Sequence, residues 1–281
     1  MNLVQVLTKD EISDLKAKFA KWAKPSKNQY ISFFAKLPDC TISVYSSGKV
    51  VFQGSEVEKY AGLAPRPKPK GQANLIGTDE VGNGSYFGGL IVVASFVRQE
   101  DLPFLRELGV DDSKKLFDDK IRRIAPELEK RLIHKSLIVS PEKYNEAITS
   151  GYNAVSIKVS LHNQAIFLLS QSVQAEAVVI DAFTTPANYQ KYLKAEKNQL
   201  RQEVTLIAKA ESQYLAVAAS SIIARSLFLD QLDSLSLAAG LKLPSGAGSD
   251  SDQVAAKLVQ SGQNLGAFAK LHFANTKKLY S

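Results

Sequence analysis

Two adjacent carboxylates at the end of an apolar segment constrain the fold of this chain more than any other feature. Residues 75–94 contain an apolar run, the pair Asp79 and Glu80, a turn with several glycines, and a second apolar run rich in β-branched residues. That order predicts strand, turn and strand. Because a carboxylate is costly to bury without a partner, a hard divalent cation near these two acids would offset the cost. The stretch therefore predicts a metal site at a strand end.

The turn after the acids favours the same interpretation. Gly82 and Gly84 lack a Cβ atom, so a ligand or another backbone can come close to their amides. Strand geometry points the side chains of Asp79 and Glu80 to opposite faces, so we expect a bend or a bulge if both serve one site. A surface hairpin whose polar turn merely begins with Asp-Glu is the alternative.

The chain is long enough for two domains, and its composition suggests where they meet. It has 281 residues, of which 45% are hydrophobic, enough for a sizeable core. Residues 61–74 hold three prolines alternating with basic residues and show no periodicity, as is typical of an extended linker. We expect a basic N-terminal domain at residues 1–64, a linker rich in proline and lysine at 65–74, and a second domain at 75–281.

The N-terminal quarter carries most of the positive charge. The formal net charge is +7, and residues 1–73 hold twelve Lys and Arg against six Asp and Glu, a net +6 that leaves +1 for the other 208 residues. Residues 9–24 have the spacing of an amphipathic helix, and 30–37, 40–45 and 50–54 have the pattern of short strands. A sheet whose lysines contact phosphates and a basic, solvated domain without special function fit this module equally well.

The composition also bears on the cellular location. No apolar run approaches the length of a membrane span, and residues 1–6 lack the basic start and apolar core of a signal peptide. The single cysteine, Cys40, excludes an internal disulfide, fits a reducing compartment and is expected to serve packing. We expect a soluble, cytoplasmic protein that makes no membrane contact.

Two further acids repeat the pattern of Asp79. Asp181 ends an apolar run within residues 176–183, which predicts a buried strand, and a sheet holds such a carboxylate rigidly beside an open mouth. Glu211 lies just before a helix rich in small residues, predicted at 214–229. Stabilising the N-terminus of that helix is the alternative role for Glu211.

The four acids Asp79, Glu80, Asp181 and Glu211 form a set of oxygen ligands, which suits Mg²⁺ or Mn²⁺. Two such ions side by side are the usual arrangement for in-line phosphodiester cleavage. A Ser-His-acid hydrolase is disfavoured, because the three histidines lie in no partner motif and the chain has no Gly-x-Ser-x-Gly. His162 is expected to be a packed or hydrogen-bonded side chain rather than a metal ligand.

Four ordered motifs extend this interpretation. They are GTDEVGNGSYFG at residues 77–88, DSKKL at 112–116, Ile-Asp at 180–181 and KAES at 209–212. In sequence and order they resemble the motifs of bacterial ribonuclease HIII, a type 2 ribonuclease H. The resemblance covers the whole chain and includes the small basic N-terminal domain, which in that family resembles TATA-binding protein and grips the substrate.

The resemblance implies a fold and an activity. The fold is α/β, with an RNase H-like catalytic domain whose mixed sheet is flanked by helices, plus a small α+β N-terminal domain like TATA-binding protein. The activity is endonucleolytic cleavage of the RNA strand of an RNA/DNA hybrid duplex, leaving 5′-phosphate and 3′-hydroxyl ends. The implied cofactors are two divalent ions, Mg²⁺ or Mn²⁺. The implied enzyme is a monomer without an obligate protein partner.

The resemblance also implies roles for individual residues. The metal-binding catalytic acids are Asp79, Glu80, Asp181 and Glu211. A glutamate at position 211, where ribonuclease HII usually has aspartate, favours the HIII branch. The residues implied to contact the substrate or to support the acids are Gly82, Asn83, Gly84, Ser113, Lys114, Lys115, Lys209 and Ser212.

Two alternatives stay open. Ribonuclease HII, with strong action at a single embedded ribonucleotide, shares the fold, and substrate preference separates it from HIII. A non-catalytic protein that binds hybrids would do so without metal and without cleavage, although four intact acids argue against it. Gly89 and Ser220 stand where the family often has proline and alanine; both are small and neither is expected to touch the acids.

Overall fold

The computed structural model describes residues 2–7, 9–55, 57, 60, 72–110, 116–198, 200 and 202–279. The chain divides into two compact units, Met1–Lys70 and Gly71–Ser281. The division falls within residues 65–74, the segment predicted as a linker, of which 65–71 lie outside the described residues.

The N-terminal unit contains an antiparallel sheet. Its described strands pair in the order β1-β4-β3-β2. Its elements are β1 at Asn2–Val6, α1 at Lys9–Phe19 with a 3₁₀ turn at Ala20–Trp22, β2 at Ile31–Lys36, β3 at Cys40–Tyr45 and β4 at Lys49–Gly54. The predicted helix and the three predicted strands are confirmed. The strand β1 was not predicted.

One face of α1 packs into the core of this sheet. Leu15 and Phe19, one helical turn apart, are buried in one apolar cluster with Ile42 and Phe52. The amphipathic spacing of the sequence therefore reports the buried face of the helix. Cys40 is buried in the same cluster, which is the packing role expected of it.

The second unit is built on a mixed five-stranded sheet in the order β7-β6-β5-β8-β9. β7, β6 and β5 are antiparallel neighbours, whereas β8 and β9 continue the sheet in parallel with β5. The strands are β5 at Leu75–Val81, β6 at Leu90–Val97, β7 at Ile133–Val139, β8 at Ala177–Asp181 and β9 at Val204–Ile207.

Helices lie along this sheet, as expected for the predicted fold class. They are α2 at Leu102–Glu107, α3 at Asp118–Arg131, α4 at Pro141–Thr149, α5 at Ala154–Ser170, α6 at Pro186–Leu193, α7 at Leu215–Ala239, α8 at Ser249–Gln260 and α9 at Ala274–Lys278. Single 3₁₀ turns occur at Gln99–Asp101, Ala210–Ser212 and Leu265–Ala267.

The two faces of the sheet pack on different helices. On β5, Leu75 joins the core that contains α7, and Ile76 joins the core that contains α5. α7 lies so close to β5 that a Cβ atom on Gly77 would come within 2.3 Å of the backbone of Ala216. Ser220 of α7 donates a hydrogen bond of 2.9 Å to the carbonyl oxygen of Gly77. Small residues on both elements therefore bring the central helix and the central strand together.

The helix α7 is longer than predicted. It continues ten residues beyond the predicted end at 229, because Leu232 and Ala239 stay buried in the core and Gly240, with φ of 66°, caps its end. Among the described residues it is the one helix long and apolar enough to cross a membrane, and 72% of its most apolar window is buried inside the protein. Such burial is what a central core helix requires.

Candidate active site

Asp79 and Glu80 lie near the end of β5 and point to opposite faces of the sheet. The pairing of β5 with β6 runs without a register shift from Leu75 to Val81, so the bend or bulge that we expected is absent. Asp79 accepts a hydrogen bond from Ser221 of α7, whereas Glu80 meets side chains of α5. Both acids reach one cleft because they lie where the strand ends and the sheet no longer separates its two faces.

Asp181 and Glu211 approach from the neighbouring strand and from the turn before α7. Thr78 of β5 pairs in parallel with Ile180 of β8, so Asp181, the last residue of β8, lies level with Asp79. Its Oδ1 accepts a hydrogen bond of 2.7 Å from the backbone amide of Ala210. Glu211 hydrogen bonds to the side chain of Asp181. The parallel register thus brings together acids that are far apart in sequence.

The four predicted acids share one open cleft. It has a volume of about 450 Å³ and lies at the carboxyl ends of β5 and β8. The residues that line it are Asp79, Glu80, Val81, Gly82, Asn83, Gly84, Asp181, Glu211 and Ser221. Val81 and Ser221 are the members for which no role was predicted, and a serine in a small-residue helix has no distinguishing pattern.

The cleft concentrates negative charge. Burial raises the pKa of Asp79 well above its usual value, and the charges of Glu80 and Asp181 raise it further against the hydrogen bonds from Ser221 and the Glu80 amide. Burial raises the pKa of Asp181 to about 6, and the neighbouring Glu211 acts in the same direction. The hydrogen bond from the amide of Ala210 acts to lower it. Neighbouring carboxyl groups disfavour each other's ionisation, and a bound cation stabilises their ionised forms.

Glu80 differs from the other acids because cations and donors surround it. Its Oε1 lies 3.2 Å from Nζ of Lys158, and its Oε2 lies 3.0 Å from Nε2 of His162. Burial acts to raise the pKa of Glu80, but these two partners outweigh it and the pKa is lowered. His162 is therefore hydrogen-bonded, as predicted. The contact of Glu80 with Lys158 was not predicted, although Lys158 and His162 are four residues apart and share one face of a helix.

The donor set fits a hard divalent ion. The acids offer only carboxylate oxygens, which Mg²⁺ and Mn²⁺ prefer. Among the described residues, no group of three or more His, Cys, Asp or Glu side chains is close enough to hold a metal ion as it stands. The acids are thus gathered around one cleft without forming a finished cage.

The predicted glycine turn forms one rim of the cleft. Gly82 has φ of 106°, and a Cβ there would come within 2.4 Å of the carbonyl oxygen of Gly89. A Cβ on Gly84 would meet nothing within 4 Å. Asn83 and Gly84 are exposed, and the amide of Ser85 donates to the carbonyl of Gly82 at 3.1 Å to close the turn. The turn therefore presents its backbone to the cleft.

The segment after this turn is held from the C-terminal side of the chain. Nζ of the buried Lys270 donates to the carbonyl oxygens of Gly88 and Gly89, at 2.6 and 3.0 Å. The amide of Gly89 donates to Gln231 at 2.7 Å, and a Cβ on Gly89 would come within 1.7 Å of the carbonyl of Val139. Glycine at this position is thus required by the packing of this chain.

Of the other predicted substrate contacts, the described ones, Lys209 and Ser212, are not among the residues that line the cleft. Ser113, Lys114 and Lys115 lie outside the described residues. Lys209 is exposed with φ of 57°, and the hydroxyl of Ser212 donates to its carbonyl oxygen at 2.7 Å. Ser212 lines a neighbouring cavity of about 200 Å³, which shares only Glu211 with the cleft of the acids. The hydroxyl of Ser212 serves the local turn, and the support of the acids or the ribose by Lys209 or Ser212 stays a prediction.

Comparison with known proteins gives consistent matches over both units. The family described as Ribonuclease HII matches residues 76–276, and a domain of unknown function, DUF3378, matches residues 2–71. Ribonuclease HIII of Lactococcus lactis subsp. lactis is 57% identical over 99% of this chain and 98% of its own length. Ribonuclease HIII of Streptococcus thermophilus is 55% identical over the same shares.

The chain is also similar to solved structures of ribonucleases HIII and HII. The crystal structure of Bst-RNase HIII in complex with Mn²⁺ is 36% identical, covers 100% of this chain and 98% of that one, and superposes with a TM-score of 0.73. Ribonuclease HII of Archaeoglobus fulgidus, solved in complex with PCNA, is 27% identical with a TM-score of 0.60 over 70% of this chain and 92% of its own.

Proposed function

The chain belongs to the ribonuclease HIII group of the ribonuclease HII family and is a ribonuclease H, and we propose that it cleaves the RNA strand of RNA/DNA hybrids to leave 5′-phosphate and 3′-hydroxyl ends. One observation carries the proposal. Asp79, Glu80, Asp181 and Glu211, from three separate segments, line a single open cleft.

Divalent ions are the proposed cofactors. The four acids would hold Mg²⁺ or Mn²⁺, and the Mn²⁺ complex of a relative with 36% identity supports this assignment. When bound, two such ions supply an activated water and stabilise the leaving oxygen of the phosphodiester. The cleft contributes burial, which strengthens electrostatic interactions at Asp79 and Asp181.

Recognition of the RNA strand is assigned to the glycine turn. Because Gly82, Asn83 and Gly84 line the cleft and the glycines carry no side chain, a ribose can approach their backbone amides closely. Hydrogen bonds to the 2′-hydroxyl are what let a protein distinguish RNA from DNA. On the basis of the motifs alone, we assign phosphate contacts to Ser113, Lys114 and Lys115, and support of the acids or the ribose to Lys209 or Ser212.

The N-terminal unit is proposed to bind the hybrid. Residues 1–73 carry a net charge of +6, and the phosphates of a duplex attract such a surface. We propose that the enzyme acts as a monomer, without a protein partner or a membrane. A cytoplasmic location is also proposed, because the only cysteine, Cys40, is a buried thiol that fits a reducing compartment.

Analysis of the product ends tests the proposed chemistry. A hybrid with a labelled RNA strand is incubated with the protein and Mn²⁺, and the fragments are offered to a DNA polymerase and to a phosphatase. Fragments that the polymerase extends and that lose a 5′-phosphate to the phosphatase support the proposal. Fragments with 2′,3′-cyclic phosphates would contradict it, because such ends arise from attack by the neighbouring 2′-hydroxyl instead of by water.

A further inference from the structure

The carboxylate of Glu80 is held at both oxygens by one face of α5. Oε1 lies 3.2 Å from Lys158 and Oε2 lies 3.0 Å from His162, which is one helical turn further along. The exposed fractions of these side chains are 10% for Glu80, 6% for Lys158 and 0% for His162. Water therefore competes little for the contacts, and the direction of the carboxylate is set by protein atoms.

His162 is itself fixed by two further contacts. Its Nδ1 hydrogen bonds to Oγ1 of Thr78, which lies two residues before Glu80 on the same face of β5. Its ring stacks on Phe183 at 5.0 Å between centroids and an interplanar angle of 20°. Because Nε2 faces a carboxylate, Nε2 carries a proton, and in neutral imidazole Nδ1 then accepts the proton of the Thr78 hydroxyl. The ring has one orientation that satisfies both nitrogens.

Phe183 also fixes the second partner. Nζ of Lys158 lies 4.4 Å above the centre of the Phe183 ring, within the range of a cation–π interaction. Phe183 follows Asp181 by two residues. The same aromatic ring thus supports both partners of Glu80 from the segment that supplies another acid.

We propose that His162, held by Thr78, is a positioning residue that orients Glu80 toward a divalent ion. The inference rests on the proposed metal-dependent function and deepens it. A carboxylate has about four lone-pair sites, so Glu80 keeps sites for a metal while it accepts bonds from His162 and Lys158. Groups that orient a metal ligand in this way typically change metal affinity by roughly 10- to 100-fold when removed.

The test compares Mn²⁺ binding by the resting full-length protein, measured by calorimetry without nucleic acid. His162→Leu should weaken Mn²⁺ binding by about 10- to 100-fold. His162→Gln, whose amide can still donate to Glu80, should recover most of that loss. His134→Gln is the control: His134 lies on β7 and contacts the carbonyl of Leu132, so Mn²⁺ binding should be unchanged.

The Mn²⁺ concentration that gives half of the maximal cleavage rate is a second measurement. Loss of a residue with a purely structural role would not change it. His162→Leu should need more Mn²⁺ to reach half of its maximal rate and should regain activity at excess Mn²⁺, with KM for the hybrid unchanged. Thr78→Val, which retains His162, should lie between the wild type and His162→Leu; it decides the question if His162→Leu does not fold.

Two outcomes would overturn the inference in different ways. Wild-type Mn²⁺ affinity in His162→Leu, or in Thr78→Val where the former does not fold, would reduce His162 to a packing residue and leave the proposed function standing. Failure of the unsubstituted protein both to bind Mn²⁺ and to cleave a hybrid would remove the proposed function and the inference with it.

Discussion

Oδ1 of Asp181 accepts a hydrogen bond of 2.7 Å from the backbone amide of Ala210, the residue before Glu211. This bond joins the end of β8 to the 3₁₀ turn that leads into α7, so two of the four acids are positioned as one unit. Glu211 lies beside the carboxyl group of Asp181 and, together with burial, raises its pKa.

Protons and Mn²⁺ should compete at Asp181. Its pKa in the folded protein is raised to about 6, whereas an unperturbed aspartate titrates near about 3.9. The folded state thus binds this proton more tightly than the unfolded state, so stability from this group falls as pH rises from about 4 to about 6. We expect Mn²⁺ affinity to rise over the same interval. Calorimetric titrations with Mn²⁺ at several pH values check this, and a pH-independent affinity would contradict it.

Asp79→Asn should abolish cleavage and preserve binding of the hybrid. The substitution removes one ionised ligand from the cleft, so the rate should fall by more than about 100-fold. Binding of the duplex should stay within a few-fold of wild type, because Asp79 is buried and faces the cleft floor. Rates and hybrid affinities are measured side by side on the same preparation; full activity in the variant would exclude Asp79 from the site.

Much of this architecture could be predicted from the sequence, and the exceptions share a cause. The strands and the four acids could be predicted because an apolar run that ends in a carboxylate is a local pattern. The contacts of Glu80 with Lys158 and His162 were not, because they join residues about 80 positions apart. The expected bulge at Asp79 was wrong, since a regular strand end lets both faces open to one cleft.

Gly82→Ala should destabilise the protein more than Gly84→Ala. Gly82 has φ of 106°, and a Cβ atom there would lie 2.4 Å from the carbonyl oxygen of Gly89. A Cβ atom on Gly84 would meet nothing within 4 Å. We expect a loss of at least about 1 kcal/mol for the first substitution and little change for the second. Urea unfolding of both variants measures the difference. Equal midpoints would show that the turn relaxes freely.

Removing residues 1–64 should raise KM for the hybrid and flatten its dependence on salt. This segment holds nine Lys and Arg against six Asp and Glu, so a net +3 of the chain's +7 is lost with it. The slope of log affinity against log salt should decrease by about one unit for each phosphate contact removed. The double variant Lys21→Gln and Lys24→Gln, in the full chain, should shift the slope in the same direction to a smaller extent. An unchanged affinity and slope after truncation would refute the assigned role of the N-terminal unit.

The most direct test of the four acids as metal ligands is cleavage of a uniform RNA/DNA hybrid beside a DNA duplex that carries one ribonucleotide, each with Mg²⁺, with Mn²⁺ and with a chelator. We expect metal-dependent cleavage mainly of the uniform hybrid, and no cleavage with the chelator. Preferred cleavage at the single ribonucleotide would assign the specificity of ribonuclease HII instead. Cleavage that persists in the chelator would contradict the central claim that the four acids work by holding divalent ions.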